Sequence, residues 1–130
     1  MRAGCVVDAS ALLSMLQGEP GSERMRELLP GGVMSAVNWS EMLQKLRARG
    51  RDPGRLPDLL TDAGTRVVPF TADDAALAVA LWPRTKTWGL SIGDRACLAL
   101  ALRLELPAVT TDRSWLELDL EVDVECIRPA

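Results

Sequence analysis

The sequence predicts an α/β protein with a mostly parallel sheet and helices on both faces, and three observations predict it. Short β-branched runs alternate with apolar helical patterns along the whole chain. Two such runs, Val6-Val7-Asp8 and Val109-Thr110-Thr111-Asp112, end at an aspartate. A third segment, from Ala96 to Leu102, is apolar on all sides and reads as a central, buried helix.

In chain order, a strand over about Gly4 to Val7 runs into a helix from Ala9 or Ser10 to Leu16, broken by Gln17-Gly18-Glu19-Pro20-Gly21. Ser22 is placed to cap a second helix, Glu23 to Leu29, which Pro30-Gly31-Gly32 ends. A short strand at Val33-Met34 follows. Ser35 opens a longer helix through Arg49, with Val37, Met42, Leu43 and Leu46 on its apolar side. Asn38, Glu41 and Lys45 share another stripe of that helix. After Gly50 and Asp52-Pro53-Gly54, Leu56 to Ala63 reads as a short helix stopped by Gly64. Arg66 to Phe70 reads as the third strand. Thr71 caps a helix from Ala72 to Trp82, where Asp73 and Asp74 complement the N-terminal dipole and are structural. Pro83 to Gly89 reads as a polar loop, with Trp88 packed against the body. Ser91 begins the central helix. Val122 to Ile127 reads as an edge strand closed by Pro129.

Composition narrows the chemistry. A chain of 130 residues, 48% hydrophobic and 25% charged, is read as one globular domain over 1–130. The absence of histidine removes His-based acid–base catalysis, Ser-His-Asp triads and His-containing zinc sites. Hydrolysis here would have to work through carboxylates. The three cysteines, Cys5, Cys97 and Cys126, lie in apolar runs without C-x-x-C spacing and read as reduced, buried thiols of a cytoplasmic protein. No apolar run approaches the ~20 residues of a membrane span. The net charge of −3 advertises no basic surface. The most basic stretch gathers Arg47, Arg49, Arg51 and Arg55 around Gly50; with the Arg84, Lys86 and Trp88 segment it is the candidate contact for nucleic-acid phosphates and bases.

Asp8, taken alone, is also a good helix N-cap, Glu41 an ordinary solvated glutamate, and Ser91-x-x-Asp94 a capping box. Together they say more. Strand ends in a parallel sheet share one edge, so Asp8 and Asp112 meet there. Glu41 lies early on a helix that leaves a strand, and Asp94 opens the helix that enters one. Carboxylates packed together repel unless a cation joins them, and hard oxygen donors suit Mg²⁺ or Mn²⁺. Ser10 and Thr111 are placed to hold carboxylates by hydrogen bonds. Gly93 is costly in a helix and uncalled for by a cap, so something must approach closely there.

Four blocks, Val7-Asp8-Ala9-Ser10-Ala11-Leu12, Asn38-Trp39-Ser40-Glu41-Met42-Leu43, Leu90-Ser91-Ile92-Gly93-Asp94-Arg95-Ala96-Cys97-Leu98-Ala99 and Val109-Thr110-Thr111-Asp112, resemble in order and spacing the PIN-domain nucleases, specifically VapC-type toxins of toxin–antitoxin pairs. The resemblance implies a three-layer α/β/α PIN-like fold with four to five strands. It implies Mg²⁺- or Mn²⁺-dependent cleavage of RNA, with Asp8, Glu41, Asp94 and Asp112 matching the family's acidic quartet and Asp8, Asp94 and Asp112 binding metal. It further implies a homodimer and a cognate antitoxin lying across the groove. Alternatives are an RNA-processing nuclease without an antitoxin and a non-catalytic interaction module. Phosphoryl transfer to an aspartate is disfavoured: Ser10 stands where a dehalogenase-type site wants a second aspartate, and Lys45 and Lys86 are the only lysines.

Overall fold

Each strand is a run of three or four mostly β-branched or small residues, too short to make a stable sheet except where helices cover both faces. The computed structural model describes residues 3–129. Among these residues the strands are β1 (Cys5–Val7), β2 (Gly32–Ser35), β3 (Arg66–Val68), β4 (Ala108–Thr110) and β5 (Val124–Cys126). The helices are α1 (Ala9–Leu16), α2 (Ser22–Leu28), α3 (Ala36–Ala48), α4 (Leu56–Ala63), α5 (Ala72–Ala80), α6 (Trp82–Thr85) and α7 (Ile92–Leu104), with 3₁₀ turns at Lys86–Trp88 and Arg113–Glu117.

The sheet order is β3-β2-β1-β4-β5, and every pairing is parallel. The three-layer α/β/α expectation therefore holds, with five strands. One core cluster joins α1, α3 and α4 through Leu12, Met42, Leu46 and Leu60. The other lies on the opposite face and joins α5 and α7 to Trp115 through Ala78, Leu98 and Leu100. The chain steps outward from β1 to β2 to β3, then crosses back to lay β4 on the other side of β1. The order thus reverses between β1 and β4, where open α/β sheets bind ligands beyond the carboxyl ends of their strands.

Local chemistry explains the departures from expectation. Gly21 (φ 100°), not Ser22, occupies the N-cap of α2. A Cβ there would collide with the main chain of Ile127, so glycine is required. The helix expected to reach Trp82 ends at Ala80. Pro83 instead sits in the first turn of α6, so the expected polar loop is largely helical. Trp88 is half-exposed rather than packed, and Cys126 is only partly buried. The third strand stops at Val68, before Pro69.

Candidate active site

Asp8 occupies the N-cap position of α1, yet its side chain makes no capping bond. Its Oδ2 accepts instead from Ser10 Oγ at 2.6 Å and from Thr110 Oγ1 at 3.0 Å. The carboxyl is 4% exposed. Burial above all, and then the charges of Asp94 and Glu41, push it up to about 6, against the pull of the Ser10 and Thr110 hydroxyls. A carboxyl destined only to cap would face the amides of its own helix. This one is turned across the β1–β4 boundary.

Glu41 reaches the same place from the second turn of α3. Asn38, fully buried one turn earlier, donates from Nδ2 to Glu41 Oε1 at 3.1 Å and to the Gly93 carbonyl at 2.9 Å. The Asn38 amide thereby ties α3 to the first turn of α7. Gly93 has no Cβ because the Glu41 carboxyl fills that space. Asp94 completes a capping box with Ser91: the Asp94 amide donates to Ser91 Oγ at 3.1 Å, and the Ser91 amide donates to Asp94 Oδ2 at 2.9 Å. Its capping duty is real, and its charge still bears on Asp8.

Asp112 follows β4. Its Oδ1 accepts from the Ser114 amide at 2.9 Å and the Ser114 hydroxyl at 2.7 Å, while its own amide donates to Thr110 Oγ1 at 3.1 Å. Thr110 thus links Asp8 to Asp112. Of the two residues expected to support the carboxylates, Ser10 touches Asp8 directly. Thr111 contributes its amide, which donates to Ser10 Oγ at 3.1 Å, and the hydroxyl on Asp8 is that of Thr110. Alternation along β4 was the available signal, because it sends adjacent threonines to opposite faces. Asn38 carried a signal too, a polar residue one turn before Glu41 on the same stripe. Cys97 is buried just behind the cluster, and its thiol is pushed up by burial and by the charges of Asp8, Asp94 and Glu41.

The basic candidates are scattered. Arg47 is exposed on the last turn of α3 and Arg49 at its C-cap, and Arg51 lines a separate hollow with Leu46, Pro53 and Leu56. Arg84 pairs with Glu121 and donates to the Asp119 carbonyl in the segment leading into β5, at the sheet edge opposite the carboxylates. Lys86 lies 5.0 Å from the ring centroid of Trp82.

The four carboxylates share one design. Asp8, Glu41, Asp94 and Asp112 each commit one oxygen to a protein donor and leave the other without a side-chain or main-chain donor among the described residues. No three of the Asp, Glu and Cys side chains among those residues stand close enough to share one ion as they are. The donor chemistry, hard and anionic, fits Mg²⁺ or Mn²⁺.

A profile of the PIN domain matches residues 5–120. The chain belongs to the PIN-domain family. Two curated relatives in that family are VapC ribonuclease Mb2780c of Mycobacterium bovis and ribonuclease VapC42 of Mycobacterium tuberculosis. Each is 33% identical over 109 residues, covering 74% of this chain and 81% of the relative. Among solved structures, a toxin–antitoxin complex from Klebsiella pneumoniae matches with TM-score 0.77 and 18% identity, over 98% of this chain and 100% of that one. DNA-bound VapBC from Salmonella typhimurium gives 0.73 and 12%, over 95% and 97%. VapC20 of Mycobacterium tuberculosis, described as a sarcin–ricin loop cleaving toxin, gives 0.69 and 19%, over 92% and 99%. At these identities the structural likenesses speak for the PIN fold alone. No helix among the described residues is long and apolar enough to cross a membrane.

Proposed function

We propose that this PIN-domain protein is a metal-dependent endoribonuclease, the toxin of a toxin–antitoxin pair, acting in the cytoplasm as a homodimer. The observation that carries the reading is the orientation of Asp8. A buried carboxylate at a helix N-cap declines to cap and joins Glu41 and Asp94 at the point where the sheet order reverses. The relatives named VapC ribonuclease support RNA as substrate, and the toxin–antitoxin complexes among the structural neighbours support an antitoxin partner.

In this reading Asp8, Asp94 and Asp112 would hold the divalent ion, Mg²⁺ or Mn²⁺. When bound, such an ion offsets the charge of the phosphodiester and makes water a better nucleophile at neutral pH. The protein's part is orientation. Ser10 and Thr110 fix the rotamer of Asp8, Ser91 that of Asp94, and Ser114 that of Asp112. Glu41, steadied by Asn38, is left with Oε2 to accept a proton or orient the attacking water.

The test is cleavage of total cellular RNA by partner-free protein with Mg²⁺, with Mn²⁺ and with excess chelator, beside Asp94→Asn. Cleavage that needs the metal and falls at least about 100-fold in the variant is expected. Full cleavage by Asp94→Asn would remove the carboxylate assignment. Growth arrest on expression without a partner, relieved by the neighbouring gene product, separates a toxin from an RNA-processing enzyme.

A further inference from the structure

The net acidic chain must still hold a polyanion, and of the six basic residues singled out in the sequence only Arg49 lines a groove beside Ser10 and Asp8. That groove is lined by Ser10, Ser14, Lys45, Arg49, Thr111 and Arg128. Three cations from two separate parts of the chain meet there. Lys45 and Arg49 continue the α3 stripe of Asn38 and Glu41, stepping about 6 Å along the helix from Glu41 to Lys45 and again to Arg49. Arg128 comes from the segment after β5. Lys45 and Arg49 have no ion-pair partner among the described residues. Arg128 pairs with Glu19 at 3.2 Å, so three cations face one carboxylate in a chain of net charge −3.

Two further observations mark the groove as a binding surface. The Ser14 hydroxyl at its floor is 2% exposed and has no hydrogen-bond partner, a costly state for a buried donor. The wall next to the carboxylates is shared: Ser10 Oγ donates to Asp8 and accepts from the Thr111 amide. Ser10 and Thr111 therefore border both Asp8 and the groove, so the two are contiguous.

We propose that Lys45, Arg49 and Arg128, over the Ser14 hydroxyl, form a subsite for the phosphate backbone of single-stranded RNA beside the cleavage site. The inference rests on the ribonuclease reading above and adds where the substrate strand lies. The contacts are to phosphate, so the subsite contributes affinity and register and reads no base.

The experiment measures binding of a short fluorescent single-stranded RNA to the intact protein in excess chelator, between about 50 and 200 mM salt. It compares wild type with Lys45→Gln/Arg49→Gln and with Arg128→Gln. The double variant keeps its fold, because both side chains are exposed and unpaired; an unchanged melting temperature checks this. Expected are a loss of about tenfold in affinity near physiological salt and a fall of about 1.4 in the slope of log affinity against log salt, roughly 0.7 per phosphate contact removed. RNA binding by the double variant equal to wild type overturns the subsite, as does wild type that fails to bind RNA. A poly-glutamate peptide binding as tightly as the RNA overturns it in favour of an acidic protein partner. RNA cleavage with Mg²⁺ is followed in parallel. Lost affinity in the double variant alongside a wild type that never cleaves sinks the nuclease reading and leaves the subsite. Normal cleavage with unchanged KM in the double variant sinks the subsite and leaves the nuclease.

Discussion

Gly93 is the residue at which stability and activity come apart. Alanine is favoured over glycine in a helix by about 1 kcal/mol, so Gly93→Ala on α7 gains local stability. The added Cβ occupies the space of the Glu41 carboxyl, which sits at the end of a flexible side chain and moves at little cost to the fold. We expect an unchanged or higher melting temperature together with RNA cleavage reduced by up to about 100-fold, the effect of misplacing one group by about an ångström. A variant as active as wild type would show that Glu41 need not stay where it is. Asp8 makes the complementary case. It is a buried carboxyl raised by burial and by two neighbouring carboxylates, so the folded, metal-free protein bears the strain of its charge at neutral pH. Asp8→Asn should stabilise that form by of order 2 kcal/mol, read as a higher melting temperature in chelator at pH 7.5. A lower one would mean that the hydrogen bonds of Ser10 and Thr110 outweigh the buried charge. Both residues were visible in the sequence, Gly93 as a glycine without a helical reason and Asp8 as a strand-ending aspartate. Thr110 was not, because two adjacent threonines differ only in the face each takes, and that depends on register.

At the scale of elements, the joint between α5 and α7 holds the central helix in place. Asp74 caps α5 with Thr71 and is buried against Arg103 of α7, which donates from Nε at 2.5 Å and from Nη2 at 3.2 Å. Burial acts to raise the Asp74 carboxyl, but the Arg103 guanidinium and the Thr71 bonds prevail and hold it below the usual carboxylate range. A depressed folded value means that this stabilisation is present above about pH 4 and lost as pH falls through the folded value. Arg103→Met leaves Asp74 buried without its cation. The expected cost is about 2–3 kcal/mol at pH 7, at the low end for a broken pair because Arg103 is partly in water. The gap to wild type should narrow toward pH 3.5, since acid removes the benefit of the pair in one protein and relieves the lone charge in the other. Urea unfolding at the two pH values reads it, and a gap independent of pH would place the cost in packing. Asp74 was legible as structural from its place after Thr71, and Ser35 as the cap of α3. The end of α5 was not, because Pro83 breaks one helix and equally suits the first turn of the next.

At the scale of the whole molecule, the fold sets Asp8, Glu41 and Asp94 where their charges act on one another, and places Asp112 just past the neighbouring strand β4. Asp8 and Asp112 arrive on adjacent parallel strands, Glu41 on α3 and Asp94 on α7. The α/β class was legible because alternation of element types survives in composition. The strand order was not, because strands of three or four buried residues carry no pairing signal of their own. The order decides the consequence: the reversal between β1 and β4 makes any ligand of these carboxylates a clasp between elements from both faces of the sheet. A divalent cation bound there stabilises the folded chain by mass action, and only while the elements are assembled. At about 100 times its dissociation constant it should add about 2.7 kcal/mol, which for a domain of this size raises the melting temperature by about 10 °C. The same addition to Asp8→Asn should raise it far less, although that variant starts from the higher metal-free value. The two curves should therefore approach or cross as Mg²⁺ or Mn²⁺ is titrated, a pattern that loss of packing alone does not produce. Parallel curves would mean that the cation binds elsewhere, and the acidic edge would then need another account.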